Sequence, residues 1–199
     1  MKKIILSLVA IMVVGYINAQ ESKKEYTGFS KGNIFMTGSV GVRSLENTAN
    51  NYKENSFNFS PRAGFFVSNN IVLGLGLEIS NISRQQTSVS QTFEQRNFGI
   101  IVFGRYYFSP SNNFTFFTQA QIDYLTSNIT NLNIKSTGVG FGIAPGISYF
   151  ISDNFAIETS LGILSYASAK ADVPNAQSST DLNIGIDFSQ TRFGVLYKF

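Results

Sequence analysis

Six charged side chains interrupt stretches that are otherwise apolar: Arg62, Glu78, Arg105, Asp123, Glu158 and Arg192. Three guanidiniums and three carboxylates set into apolar runs admit three kinds of chemistry. Paired carboxylates can do general acid–base work. Opposed charges can line a polar ion pathway. They can also neutralise one another as salt bridges inside a narrow interior, where an unpaired charge is costly. The rest of the composition narrows the choice. The chain contains neither histidine nor cysteine. A Ser-His acyl-transfer triad and a thiolate nucleophile are therefore unavailable, and metals held through nitrogen or sulfur lose their usual ligands. We expect no enzyme, no metal site and no cofactor.

The elements that carry these charges have an apolar period of two, not 3.6. Eight alternating runs follow Asn33, over 34–43, 57–67, 71–80, 97–108, 114–124, 138–149, 155–163 and 190–199. In the cleanest, Ile71, Leu73, Leu75, Leu77 and Ile79 oppose Val72, Gly74, Gly76, Glu78 and Ser80. Each of the six charges falls on the face otherwise made mostly of Gly, Ser, Ala, Asn and Gln. The register of a hairpin turning at 68–70 puts Arg62 opposite Gly76, which makes Glu78 its diagonal neighbour and expected partner. Gly138, Gly140 and Gly142 share one strand face with no helix pattern after them, so they read as interior glycines rather than a phosphate loop. Upstream of the last run, Leu182, Ile184, Ile186 and Phe188 alternate in the opposite parity, which predicts a bulge or a loop boundary near Phe188–Ser189.

The connections fall into two alternating classes. Short ones repeat a Ser-Asx-Asn signature, at Ser68-Asn69-Asn70, Ser111-Asn112-Asn113 and Ser152-Asp153-Asn154, spaced by 43 and 41 residues. Asn and Asp suit such turns because they tolerate left-handed backbone and hydrogen-bond their own turn. Long polar ones are expected as loops at 44–56, 81–96, 126–137 and 167–188, where any external ligand would bind. One round trip of strand, long loop, strand and tight turn accounts for the spacing.

Alternation alone does not say which face is inside, since a soluble lipocalin-like barrel alternates too. Charged residues make up 14% of the chain, against about 25% in soluble domains. The face bearing the six charges is too small and too weakly charged for a water-exposed exterior, and small residues suit the crowded lumen of an eight-stranded barrel. The apolar face carries no charge along the strand cores, as lipid contact demands. Aromatics gather beside the short turns at Phe65, Phe66, Tyr106, Tyr107, Phe108, Phe114, Tyr149, Phe150, Phe155, Tyr197 and Phe199, as an interfacial girdle would. Runs of about nine to eleven residues also match tilted strands crossing a bilayer.

The N-terminus reads separately. Lys2 and Lys3, the apolar Ile4–Val14 and Asn18-Ala19 make a secretory signal peptide over 1–19, cleaved before Gln20. Residues 20–31 are polar and non-periodic, a short flexible periplasmic lead-in, and 32–199 form the barrel domain. Without Lys2 and Lys3 the net charge falls from +3 to +1, and no basic stripe points to nucleic acid.

With the signal peptide, "FGRYYFSPSNN" (103–113) and the ending "FGVLYKF" (193–199) in view, the chain resembles the small outer-membrane β-barrel family, the group of the OmpA membrane domain and OmpX. It is especially similar to the outer membrane protein beta-barrel domain proteins of Bacteroidota. The resemblance covers essentially the whole mature chain. It implies that the aromatic last strand, with Phe193, Tyr197 and Phe199, is the signal read by the barrel-assembly machinery, and that envelope enzymes of this size depend on a histidine absent here.

The expected fold is therefore all-β, an eight-stranded antiparallel up-and-down transmembrane β-barrel preceded by a cleaved signal peptide, in the outer membrane of a Gram-negative cell. The expected function is structural or surface-interacting, with the lumen plugged by its salt-bridge network. The alternative is a narrow porin passing ions or small solutes. Expected partners are outer-membrane lipid, the assembly machinery and an extracellular ligand on the long loops. A closed barrel has no edge that forces pairing, so a monomer is expected.

Overall fold

A computed structural model describes residues 28–199 except 48, 50, 87–90, 131, 133 and 187–190. The expected signal peptide and the bulge or loop boundary at Phe188–Ser189 lie outside the described residues. Ten strands follow in order: β1 (Ile34–Asn47), β2 (Tyr52–Phe66), β3 (Ile71–Gln86), β4 (Gln91–Tyr107), β5 (Phe114–Ile129), β6 (Ile134–Phe150), β7 (Phe155–Ser160), β8 (Leu164–Ala171), β9 (Ser178–Ile184) and β10 (Arg192–Lys198). Every pairing is antiparallel. The ring β1-β2-β3-β4-β5-β6-β7-β10 closes on itself into an eight-stranded barrel, and β8 and β9 continue the seventh and eighth passes beyond it.

The seventh pass breaks because it carries one residue too many. Gly146 pairs with Ser160 and Ile143 with Leu164, three steps on β6 against four on its partner. This bulge at 161–163 flips the parity, so Phe155 and Ile157 face out below it and Leu164 and Tyr166 above it. The sequence pattern ran alternation straight through to Ile163 and missed it. In the eighth pass, Leu182 and Ile184 face out, as do Phe193 and Val195, in opposite parity. Among the described residues, β1 pairs β10 only through Phe35–Val40, while Gly41–Asn47 pair with β2 alone and β9 with β8 alone.

The period-two apolar face points outward. Met36 (53% exposed), Leu75 (62%), Val102 (56%) and Ile122 (62%) belong to a band of exposed large apolar side chains. Soluble monomers rarely expose so continuous an apolar exterior, and a hydrocarbon surround removes the penalty. Strands β1 to β6 run 14–17 residues, longer than the bilayer needs.

That surplus corrects the long-loop expectation. Most of 44–56, 81–96, 126–137 and 167–188 is strand, and the connections shrink to 48–51, 87–90, 130–133 and 172–177. Beyond the apolar band both faces of a strand are free to be polar, so period two disappears from the sequence while the ladder of hydrogen bonds continues. The polar ends are projecting hairpins, braced by contacts such as Arg84 Nε to Glu54 Oε2 at 2.9 Å. There the Tyr52 hydroxyl and the Arg84 guanidinium hold the Glu54 carboxyl below the usual carboxylate range.

The short turns also differ in their physics from the expectation. Among the described residues, the non-glycine residues with positive φ are Asn51 and Asn175, in the far connections, not the Asx residues at 68–70, 111–113 or 152–154. The short-turn signature works through its side chains instead. Ser68 Oγ accepts the Ile71 amide at 3.1 Å and Ser152 Oγ the Phe155 amide at 3.0 Å. Asn70 Nδ2 and Asn154 Nδ2 each donate, at 2.7 Å, to the last carbonyl region of a neighbouring strand, at Tyr107 and Lys198. These bonds satisfy backbone groups where the ladder ends.

Candidate functional site

The inward face falls into two layers, and the first is apolar. At the short-turn end Phe29, Phe35, Phe66, Tyr107, Phe117 and Phe150 are buried to 3% exposure or less. Phe29 sits at the centre, with its ring 4.7 Å from Phe66, 4.8 Å from Tyr107 and 4.8 Å from Phe150. Its chain is tied down as well: the Phe29 amide donates to Pro110 O at 2.6 Å, and Lys198 Nζ donates to Gly28 O at 2.7 Å. A Cβ at position 28 would run into the Pro110 carbonyl, so the close approach needs glycine. Phe29 falls in the stretch read as lead-in, where no periodicity marks it.

This layer also corrects the girdle. Phe65, Tyr106, Phe108, Phe114, Tyr149, Phe155, Tyr197 and Phe199 are exposed on the outside, but Phe66, Tyr107 and Phe150 are fully buried inside. Paired aromatics such as Phe65-Phe66 straddle the wall, because successive side chains point to opposite faces. Phe193 likewise lies outside at 65% exposure.

Room for the inner rings comes from glycines directly across the sheet. Phe35 faces Gly64, Phe103 faces Gly74, and Phe117 faces Gly146. A Cβ at any of these three glycines would strike the ring opposite. These three glycines are not merely small; each is roofed by the ring across from it.

The second layer is ionic. Arg105, on β4, reaches Glu158 on β7: Nη1 to Oε1 is 2.8 Å, with both side chains at most 7% exposed. The guanidinium also donates to Gln119 Oε1 at 2.9 Å and to Tyr107 Oη at 2.6 Å, and lies 4.0 Å from the centre of the Phe117 ring. Glu158 Oε2 accepts from Thr37 Oγ1 at 3.3 Å. A buried pair is tolerable only when the remaining polar atoms are satisfied in this way. A second pair crosses the lumen at Arg192 Nη1 to Glu78 Oε2, 3.0 Å, from β10 to β3. Both partners of each pair stand three strands apart around the ring, so each pair is a strut across the barrel.

Arg62 and Asp123 remain. The register does put Arg62 opposite Gly76, but Glu78 goes to Arg192, not to Arg62. The physical reason is the curvature of the wall, which brings a side chain three strands away as close as a diagonal neighbour. Arg62 instead donates from Nε to Ser60 Oγ at 3.2 Å. Ser60 is held by its own donation to the Leu77 carbonyl, opposite Pro61, which has no N–H to give. Asp123 accepts from Gln121 Nε2 at 3.4 Å, the end of a ladder that starts at Arg105 on β4 and runs through Gln119 and Gln121 up β5. On the side of the Arg105–Glu158 strut away from the short turns lies a cavity of about 240 Å³, whose lining includes Arg62, Glu78, Asp123 and Arg192. A smaller void of about 30 Å³ is left within the strut layer itself.

Lys198 is the other interior charge that the sequence reading left uncounted. It is 7% exposed, with Nζ 5.1 Å from the Phe150 ring. Its parity along the last strand was the available signal. No group of three or more Asp and Glu that could hold a metal ion occurs among the described residues.

A family model described as outer membrane protein beta-barrel domain matches residues 6–199. Among solved structures, the outer membrane protein OprG from Pseudomonas aeruginosa is similar at 12% identity and a TM-score of 0.56, with 88% of this chain and 99% of that chain covered. Neisserial surface protein A is similar at 14% identity and a TM-score of 0.53, with 85% and 99% covered. At these identities the likeness is one of fold. No curated protein matches the chain.

Proposed function

This chain belongs to the outer membrane protein beta-barrel domain family, and on that premise we propose that it is a non-conducting barrel with a structural and surface-presenting role. One observation carries the proposal: a buried aromatic layer centred on Phe29 and the Arg105–Glu158 strut above it both stand in the lumen. Eight strands leave a lumen that side chains can fill, and here they fill it with groups bonded to one another. In this reading the short turns face the periplasm, the leader over 1–19 directs export, the last strand with Phe193, Tyr197 and Phe199 is read during assembly, and the barrel works as a monomer. The projecting polar hairpins, rather than long loops, are the outer surface that meets a partner. A non-enzymatic role is supported by a chain without histidine or cysteine.

The second reading, a narrow porin, draws on the cavity of about 240 Å³. Planar-bilayer recording of the refolded protein separates the two. The stoppered barrel gives no reproducible single-channel steps; discrete steps from the unaltered protein would establish the porin instead. Steps that appear only in Phe29→Ala would assign the block to that ring.

A further inference from the structure

The six lumenal charges fall into three arginine–carboxylate combinations with the same strand spacing. Arg105 on β4 and Glu158 on β7, and Arg192 on β10 and Glu78 on β3, stand three strands apart and meet. Arg62 on β2 and Asp123 on β5 are also three strands apart, and they do not meet: neither has an ion-pair partner among the described residues. They share one row across the wall, in which Arg62 is followed by Gly76, Ile101, Asp123 and Gly140 in successive strands. The row's two glycines give the charged side chains room to lean over the wall. A Cβ at Gly76 would press on Arg62 Cγ, and one at Gly140 would collide with the Asp123 carboxylate.

Two further observations turn an open strut into a site. Arg62 is 7% exposed and its Nη2 is buried without a hydrogen-bond partner. An unsatisfied guanidinium nitrogen is a costly thing to keep in a folded interior. Both Arg62 and Asp123 line the same cavity of about 240 Å³, which at about 30 Å³ per water corresponds to about eight water molecules. The remaining opposed charges on that cavity, Arg192 and Glu78, already neutralise each other. Facing that space, Arg62 binds Ser60 through Nε and leaves Nη2 over, while the Asp123 carboxylate takes a bond of 3.4 Å from Gln121.

We propose that this cavity binds a small zwitterion carrying a carboxylate and an ammonium group, of the size of an α-amino acid with a short side chain. The carboxylate takes the Arg62 end, where a guanidinium presents donors in the geometry a carboxylate accepts. The ammonium takes the Asp123 end, and the ligand completes the third strut. Binding in the lumen requires no current through it, so the inference stands apart from the non-conducting role proposed above.

The test is titration of the full-length refolded protein, in a non-ionic detergent whose headgroup cannot compete, by calorimetry or saturation-transfer NMR. The probes are alanine, N-acetylalanine, which lacks the ammonium, and alanine amide, which lacks the carboxylate. Alanine is expected to bind saturably, and each blocked probe at least tenfold more weakly. Asp123→Asn and Arg62→Gln are each expected to weaken alanine at least tenfold while the heat-dependent gel shift of the folded barrel is kept. If Arg62→Gln fails to fold, Asp123→Asn and the two blocked probes on the unaltered protein carry the decision. Absence of saturable alanine binding overturns the proposal. So does N-acetylalanine binding as well as alanine, or an Asp123→Asn protein that binds alanine unchanged, since either reduces the site to an anion pocket.

Discussion

Glu158 and Asp123 are both lumenal carboxylates, yet they stand in different energetic positions. Glu158 ends a strut in which Arg105, Tyr107 and Thr37 all bond to it. Replacing it with alanine leaves the Arg105 guanidinium buried without its counter-charge, and we expect a cost of about 3–5 kcal/mol. Urea unfolding of the barrel in detergent would register this as a lower midpoint. Asp123→Asn removes a charge with no ion-pair partner and should leave that midpoint nearly in place. Equal losses in the two variants would mean that the Arg105–Glu158 strut is not the stress-bearing pair. Residue identity was legible in the sequence, since alternation put all six charges on one face. Which charge meets which was not, because the partners that form are separated by 53 and 114 positions and by three strands.

At the scale of elements, the inner face is built by cross-strand pairs of one large and one absent side chain. Gly74 is the clearest case: a Cβ there meets both the Phe103 ring and the Ala63 carbonyl. Gly74→Val should therefore destabilise by at least the cost of overpacking, about 1–3 kcal/mol, since backbone cannot rotate away. Gly142→Ala is the control. It shares the inner face, but its nearest neighbours stand at 3.6 and 3.7 Å, and the substitution should be tolerated. The heat-dependent gel shift of refolded protein reads both. A Gly74→Val barrel as heat-stable as the parent would sink the pairing argument. The sequence showed the eight runs because lipid enforces a strict apolar face across about 30 Å of hydrocarbon. It concealed the strand extensions, where nothing enforces a face, and the bulge at 161–163, where apolar residues on both parities hide a one-residue slip.

The whole molecule is an inverted soluble protein, apolar outside and part-polar within, and its exterior carries a prediction of its own. Leu75 is 62% exposed within the apolar band. Leu75→Arg should cost about 2–4 kcal/mol if it sits near the bilayer midplane, measured as the free energy of folding into liposomes. An unaffected free energy would place the band away from the hydrocarbon. The sequence by itself determined that the chain is an eight-pass barrel, which face meets lipid, and that it has no histidine or cysteine for a Ser-His triad, a thiolate nucleophile or a metal ligand. Those follow from local period and composition, which every strand repeats independently. Only the tertiary structure decided that Phe29 enters the lumen, and that two struts close while Arg62 and Asp123 stay apart. Those depend on the closure and curvature of the wall, which bring residues together across the lumen at separations no local pattern encodes.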